Sequence, residues 1–419
     1  MTTPPGDPTP FRVGVVLGGF DAEGGFNRPD QPANNWYWWE IEGRARPSTG
    51  QLWGNWELEV ARAAAVGCDA IRVCVEWPRC EPLDGQIDRR AVAAYCRLLD
   101  CCHEHGLQPA VTLHRFAHPA WMGVDFWLRP DAPERFRHWV ETAVDHFAGR
   151  THHWVTIDQL NMSAIWSYLS GRYPPGRRLD LAATIRSLDH LLAGHVLAYE
   201  AIKERQPQAV VAMGTRALPV YELDRVLVDV VLGRAAGVGR HDLGDWLAQR
   251  RRNYPPDVEG AGGPGERGPG RTALAWAVRQ WAASAIPLDQ ALARAVAAVY
   301  DGGWRQPLDV LQVGGEDDDL STVLPVPLPA VGTDGCSRLV AACRMNRDVE
   351  LPLWVLSDGP APTGGFGRNV ADVERAHAEG ARVTAFFQRL APLRSDRAGD
   401  ARARAQVLPG RRRAGVSPS

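Results

Sequence analysis

Eight short, nearly continuous apolar runs punctuate the chain, and amphipathic segments separate them. The runs are Val13–Leu17, Ala70–Val75, Gln108–Leu113, Trp154–Ile157, Ala209–Met213, Leu308–Val313, Leu353–Leu356 and Arg382–Phe387. Their β-branched, unbroken character fits parallel strands buried on both faces. Apolar residues at helical spacing mark Leu58–Ala65, Ala91–His105, Pro133–Phe147, Ile185–Arg205, Ala275–Ala285, Leu288–Val299 and Val370–Glu379. Strand alternating with helix in this way predicts an α/β fold, a single closed (β/α)8 TIM barrel. The 419-residue length suits one large barrel. The expected organisation is a flexible N-terminus over residues 1–10, the barrel over 11–392 and a disordered tail over 393–419. Residues 253–271, rich in glycine and proline, read as a flexible loop.

Charge narrows the partners. The formal net charge is −2, so no overall field draws in nucleic acid or an anionic membrane. No run of 18 apolar residues and no apolar leader segment is visible, and the expectation is a soluble cytoplasmic protein of unknown oligomeric state. Six of the eight cysteines crowd into residues 68–102 without a CxxC pair, which reads as buried free thiols rather than a metal site. His152 and His153 open the fourth run, at the end of the barrel away from the mouth. No metal and no cofactor is expected; the expected partner is a small molecule.

Several ordered motifs carry a specific resemblance. GGFDAEGG (Gly18–Gly25) precedes NNWYWWE (Asn34–Glu40). WGNWELEVARAAAVGCDAIRVCVEWPRCEP (Trp53–Pro82) contains Arg72, Glu76, Trp77, Arg79 and Pro82 at fixed spacings. LQPAVTLHRFAHPAWM (Leu107–Met122), WVTIDQLN (Trp154–Asn161), SYLSGRYPPG (Ser167–Gly176) and LPLWVLSDG (Leu351–Gly359) follow in order. Together they resemble the family 1 glycoside hydrolases, the β-glucosidase and β-galactosidase group, from about residue 11 to 390.

The resemblance implies a retaining mechanism that this chain has altered. Retaining glycosidases place two carboxyl groups about 5–5.5 Å apart, one as acid and base, one as nucleophile. Where the family has Thr-x-Asn-Glu-Pro after the fourth strand, this chain reads Thr156-Ile157-Asp158-Gln159-Leu160. Gln159 has no labile proton to give a leaving group. Where the family has Ile-Thr-Glu-Asn-Gly, the chain reads Val355-Leu356-Ser357-Asp358-Gly359, with Ser357 at the nucleophile. A serine without an adjacent base is a poor nucleophile toward an acetal. The family's sugar-binding glutamine aligns with Asp21, its histidine with Arg115 and its asparagine with Asp158. In the sixth strand Gly314-Gly315 replace Asn-Tyr, ahead of the acidic run Glu316–Asp319.

These replacements are polar and fall where the barrel mouth is expected. Asp158, Gln159, Asp21 and Ser357 are the candidate catalytic residues. Arg115, His118, Glu316, Trp36 and Trp121 are the candidate binding residues. His118 serves as acid or base if it points into the mouth, and otherwise packs a loop. Glu316 supplies a replacement carboxylate or belongs to a solvated loop. Trp36, Trp38, Trp39, Trp121 and Trp127 offer rings for a pyranose or a planar ligand, or cap the barrel top. The leading expectation is a family 1 scaffold repurposed for a sugar-like or polar-aromatic molecule, by non-glycosidic acid–base chemistry in specialised metabolism. A non-catalytic glycoside-binding pseudoenzyme and a weak β-glycosidase with a relocated carboxylate are the alternatives.

Overall fold

The computed structural model describes residues 12–45, 50–216, 221–223, 225–252, 287–315, 351–361 and 383–390. Eight strands close into a barrel in chain order: β1 (Arg12–Leu17), β2 (Ala70–Cys74), β3 (Gln108–Thr112), β4 (His153–Val155), β5 (Val210–Arg216), β6 (Val310–Gly315), β7 (Leu353–Ala361) and β8 (Val383–Leu390). Every pairing is parallel, and β8 returns to β1 through Arg12↔Thr384 to Val15↔Phe387. The expected single (β/α)8 barrel is the fold observed, with each apolar run lying on its strand to within a few residues.

Alternation along each strand separates two cores. Ile71 and Val73 of β2 join the large cluster shared with the surrounding helices. Ala70 and Cys74 turn instead to the barrel interior, with Val16, Ala110, Val155, Ala212, Val310, Trp354 and Phe386. Trp354 and Phe386 fill that interior edge to face, with centroids 5.4 Å apart. Gly14 makes room for them, because a Cβ there would lie 2.7 Å from the Phe386 ring.

The helices begin where the sequence supplies caps. Asp88 accepts from the Arg90 and Ala91 amides at the head of the Arg89–Glu104 helix. Asp180 accepts from the Ala183 amide at the head of the Leu181–Arg205 helix. Each cap satisfies backbone donors that the first turn leaves open. Two helices of ten residues or more were not expected, Arg225–Ala235 and Leu243–Arg252. The first is rich in valine and buried on most sides, so it lacks the polar face that marks a helix in a sequence. The expected Leu288–Val299 helix is two, Leu288–Ala291 and Ala293–Asp301. The expected helices at 275–285 and 370–379, the loop at 253–271 and both termini, 1–10 and 393–419, lie outside the described residues.

The six described cysteines are free thiols. Burial pushes Cys68, Cys74 and Cys102 up to about 12, so they are inert hydrophobic side chains at neutral pH. Among the described residues no group of three metal-ligating side chains occurs, and no helix is long and apolar enough to cross a membrane.

Candidate ligand site at the barrel mouth

Polar side chains gather at the carboxyl ends of the strands, the face where barrel enzymes bind and react. Asp158 and Gln159 follow β4 directly. Asp158 is fully buried, and Gln159 is 1% exposed. Asp158 Oδ2 accepts from Arg72 Nη2 of β2 at 2.7 Å and lies 3.3 Å from Arg115 Nε, just past β3. Its Oδ1 accepts from the Gln312 amide of β6, whose Oε1 accepts in turn from Arg72 Nη1. Arg72 and Gln312 are also fully buried. Burial opposes the charge on Asp158, but Arg72 and Arg115 outweigh it and hold the carboxyl below its ordinary value of 3.8. Asp158 is therefore an anion at neutral pH, committed to two guanidinium groups.

The backbone makes space for this cluster. A Cβ on Gly214 of β5 would sit 2.8 Å from both the Gln159 amide nitrogen and the Gln312 side-chain nitrogen, so only glycine fits there. Gln159 itself adopts a left-handed conformation, with φ 45°. Such a backbone costs of order 1–3 kcal/mol in a residue other than glycine and is a recurrent property of functional sites. The side chain of Asn161, two residues on, holds the turn by donating to the Arg216 and Leu223 carbonyls and accepting from the Arg216 amide.

A second polar group adjoins the first. Asp21, on the short Phe20–Glu23 helix after β1, is exposed and converges with Arg115 above Gly19. A Cβ there would meet Asp21 Oδ1 at 2.8 Å and Arg115 Nη1 at 3.0 Å. Arg115 Nη1 also donates to the Gly18 carbonyl at 2.9 Å. Behind Asp21 lie Glu23, Glu76, Arg79 and Tyr95, all buried. Glu23 pairs with Arg79 and accepts from the Tyr95 hydroxyl at 2.7 Å. That hydroxyl accepts from the Glu76 amide at 3.1 Å. Burial, then the neighbouring Glu23 and Asp21, push the Glu76 carboxyl well above its ordinary 4.5.

The Glu76 shift has a defined sign. A raised folded-state value means that Glu76 favours folding at acid pH, below 4.5, and that this contribution is lost as the pH rises through the folded value. Glu76→Gln, which keeps the shape and removes the titration, is expected to flatten the decline of stability on the alkaline side of 4.5. Urea midpoints at several pH values measure this. Parallel profiles for the two proteins would show that Glu76 stays ionised in the fold.

Aromatic rings roof the β1, β3 and β4 loops. Trp36 lies tilted against Phe20 at 5.1 Å and edge to face with Tyr173 at 4.7 Å, and its indole donates to the Phe116 carbonyl. Tyr173 also meets Phe116 at 5.2 Å and Trp166 at 4.6 Å. Trp36 is 8% exposed, whereas Trp38 is 59% exposed. Trp121 lies over the loop after β2, its indole donating to the Glu81 carbonyl at 3.1 Å. His118 is packed within its own loop: Nε2 contacts the Gly123 carbonyl, and the ring lies 5.1 Å from Phe126. Ser357 sits on β7, in register with Gly315 and Phe387. Glu316 lies outside the described residues. The site thus brings Asp158, Gln159, Arg115 and Asp21 together and sets Trp121 and His118 apart from them. Arg72, Gln312 and Glu76 were not among the expected site residues. Arg72 and Glu76 stand in the quoted Trp53–Pro82 motif, and Gln312 is, with Asp309, one of two polar residues in an otherwise apolar run.

These features define a (β/α)8 barrel with a charged centre at the carboxyl ends of its strands. The chain belongs to glycosyl hydrolase family 1, whose match covers residues 8–237. It is 28% identical over 195 residues to 6-phospho-beta-galactosidase 1 of Streptococcus pneumoniae, covering 46% of this chain and 41% of that protein. It is 28% identical over 230 residues to the 6-phospho-beta-galactosidase of Streptococcus equi subsp. zooepidemicus, covering 52% and 47%. The match thus spans less than half the length of these curated relatives. The beta-glucosidase of Thermotoga maritima in complex with deoxynojirimycin superposes with TM-score 0.64 at 15% identity, over 91% of this chain and 88% of that one. The AHE enzyme of Alicyclobacillus herbarius gives 0.63 at 16% identity, over 93% and 89%. Both superpositions establish the shared fold.

Proposed function

We propose that this chain is a non-hydrolytic member of its family that uses the barrel mouth to hold a small sugar-like or polar-aromatic molecule. One observation carries the reading. The position after β4 that resembles the family's acid is a buried glutamine, and the carboxylate beside it is tied to Arg72 and Arg115. An amide cannot protonate a leaving group, and an ion-paired aspartate held below its ordinary value has no proton to give at neutral pH. We read Asp158 as the counter-ion that fixes Arg115, not as the acid or base expected from the sequence. Arg115 and the exposed Asp21 are then the groups that meet a ligand. Ser357 takes the nucleophile's position without that function. Trp36, with both neighbours packed against it, serves as roof. A cytoplasmic role in specialised metabolism accords with this reading.

Glu76 favours a second reading. It is a buried carboxyl with a raised value, close enough to Asp21 and Arg115 to interact with both, and a protonated carboxyl is what a glycosidase acid requires. A weak β-glycosidase would then act through Glu76.

Activated aryl β-glycosides decide between the two, because their leaving groups depart without acid help. Probes carrying glucose, galactose and 6-phosphogalactose cover the chemistry named for the relatives. The expected result is no aryl release above background at high protein concentration and long times, from protein shown to be folded. Aryl release that survives Ser357→Ala would overturn the non-hydrolytic reading, and cleavage of unactivated alkyl β-glycosides, whose leaving groups need a proton, that disappears in Glu76→Gln would establish the second.

A further inference from the structure

The charges at the barrel mouth and directly behind it do not match. Four carboxyls, Asp21, Glu23, Glu76 and Asp158, share three guanidinium groups, Arg72, Arg79 and Arg115. Asp158 takes Arg72 at 2.7 Å and lies 3.3 Å from Arg115, and Glu23 takes Arg79. Glu76 has no cation of its own. Its carboxyl makes no hydrogen bond and no ion pair with any described residue, although only 3% of the residue is exposed. A buried carboxyl in that condition either holds a proton or draws a positive charge toward it.

The groups that face Glu76 decide between these states. Asp21 and Glu23, from the short helix after β1, oppose its charge. Arg79 and Arg115 favour it, but each is engaged elsewhere: Arg79 also donates to the Gly24 carbonyl and Arg115 to the Gly18 carbonyl. Cys74, Cys80 and Tyr95 complete the surroundings, and burial raises all three, so they stay neutral near pH 7. Burial and the two carboxylates outweigh the arginines and raise Glu76 well above 4.5. With its proton the cluster is neutral. Without it, one negative charge stands unmatched.

Asp21 opens this cluster to solvent. It is exposed, and its neighbour Phe20 lies tilted against Trp36 at 5.1 Å. Aromatic faces attract cations. The carboxyls are not gathered as ligands of a metal ion, since no group of three metal-ligating side chains occurs among the described residues. Resting on the non-hydrolytic reading of the mouth, we propose that the site selects an organic ammonium ion, which meets Asp21 and the aromatic roof while Glu76 behind them releases its proton to solvent. One positive charge enters and one leaves, so the cluster stays neutral. Glu76 does not touch the ligand. It acts through the negative charge it adds behind Asp21.

Benzylamine, an ammonium ion at neutral pH, and benzyl alcohol, its uncharged counterpart, are the probes, titrated calorimetrically in buffers of different ionisation enthalpy. Benzylamine is expected to bind about ten-fold more tightly, the value of one hydrogen bond to a charged group. Its heat is expected to differ between buffers, and its affinity to rise with pH, because binding removes a proton from the protein. In Glu76→Gln both the buffer difference and the pH dependence are expected to vanish. In Asp21→Asn, a change at an exposed position, the preference for benzylamine is expected to vanish. Equal binding of the two probes by the native protein would overturn the proposal, as would a preference without proton release or a failure of benzylamine to bind. Aryl release in the glycoside assay would instead overturn the reading on which it rests. The native and Asp21→Asn measurements decide the matter should the Glu76→Gln protein fail to fold.

Discussion

Asp158→Ala is expected to destabilise the fold by about 3–5 kcal/mol at neutral pH, the range seen when one partner of a buried ion pair is removed. The reason lies in what remains. Arg72 has no exposed surface and Asp158 is its only carboxylate partner among the described residues, while the amide of Gln312 cannot neutralise a guanidinium. The effect has a pH signature with a definite sign. Asp158 is held below 3.8 in the fold, so its contribution is complete above the unfolded value and is lost as the pH falls through the folded one. The gap between native and variant proteins, read from urea unfolding, should be constant near neutrality and narrow only in acid. A loss under 1 kcal/mol would mean that Arg72 finds solvent or another anion when Asp158 is gone.

Arg79→Met is expected to have a loss of the same size, about 3–5 kcal/mol, with a different pH dependence. Arg79 pairs with Glu23, donates to the Gly24 carbonyl and lies 4.2 Å from the centre of Phe26 and 4.0 Å from that of Trp53. Methionine keeps part of the apolar contact and removes the charge. Glu23 is then a buried carboxyl without its cation. Burial already raises its value above 4.5, so the variant must either bury the anion or protonate it. Protonation is cheap in acid and costly near neutrality. The destabilisation should therefore shrink as the pH falls toward 4.5 and grow as it rises. Thermal unfolding at matched pH values measures it, and a loss independent of pH would assign the effect to the Gly24 hydrogen bond and the two cation–π contacts.

The sequence carries the barrel more fully than it carries the site. Strands buried on both faces must be apolar without interruption, and such runs are visible in any order of reading. Helices with one wet face are visible too. The Arg225–Ala235 helix was not, because a segment covered on nearly all sides has no polar stripe to set its period. At the site, the resemblance located Asp158 and Gln159 after β4, since a strand end fixes both by its position in the chain. It did not disclose what Asp158 touches. Its partners come from β2, the β3 loop and β6, 86, 43 and 154 residues away along the chain, and an ion pair over such separations leaves no local pattern.

The hydrogen bond between Arg72 and Gln312 joins the second strand of an eight-strand ring to the sixth, its diametric opposite. It is a strut across the bore, and each end belongs to a different half of the chain. A half-barrel ending after β4 would carry a guanidinium with an open donor, and the complementary half would carry an amide aimed at nothing. Neither half can close its interior without the other. The bore of this protein is therefore bridged by a contact that neither half of the chain can make alone.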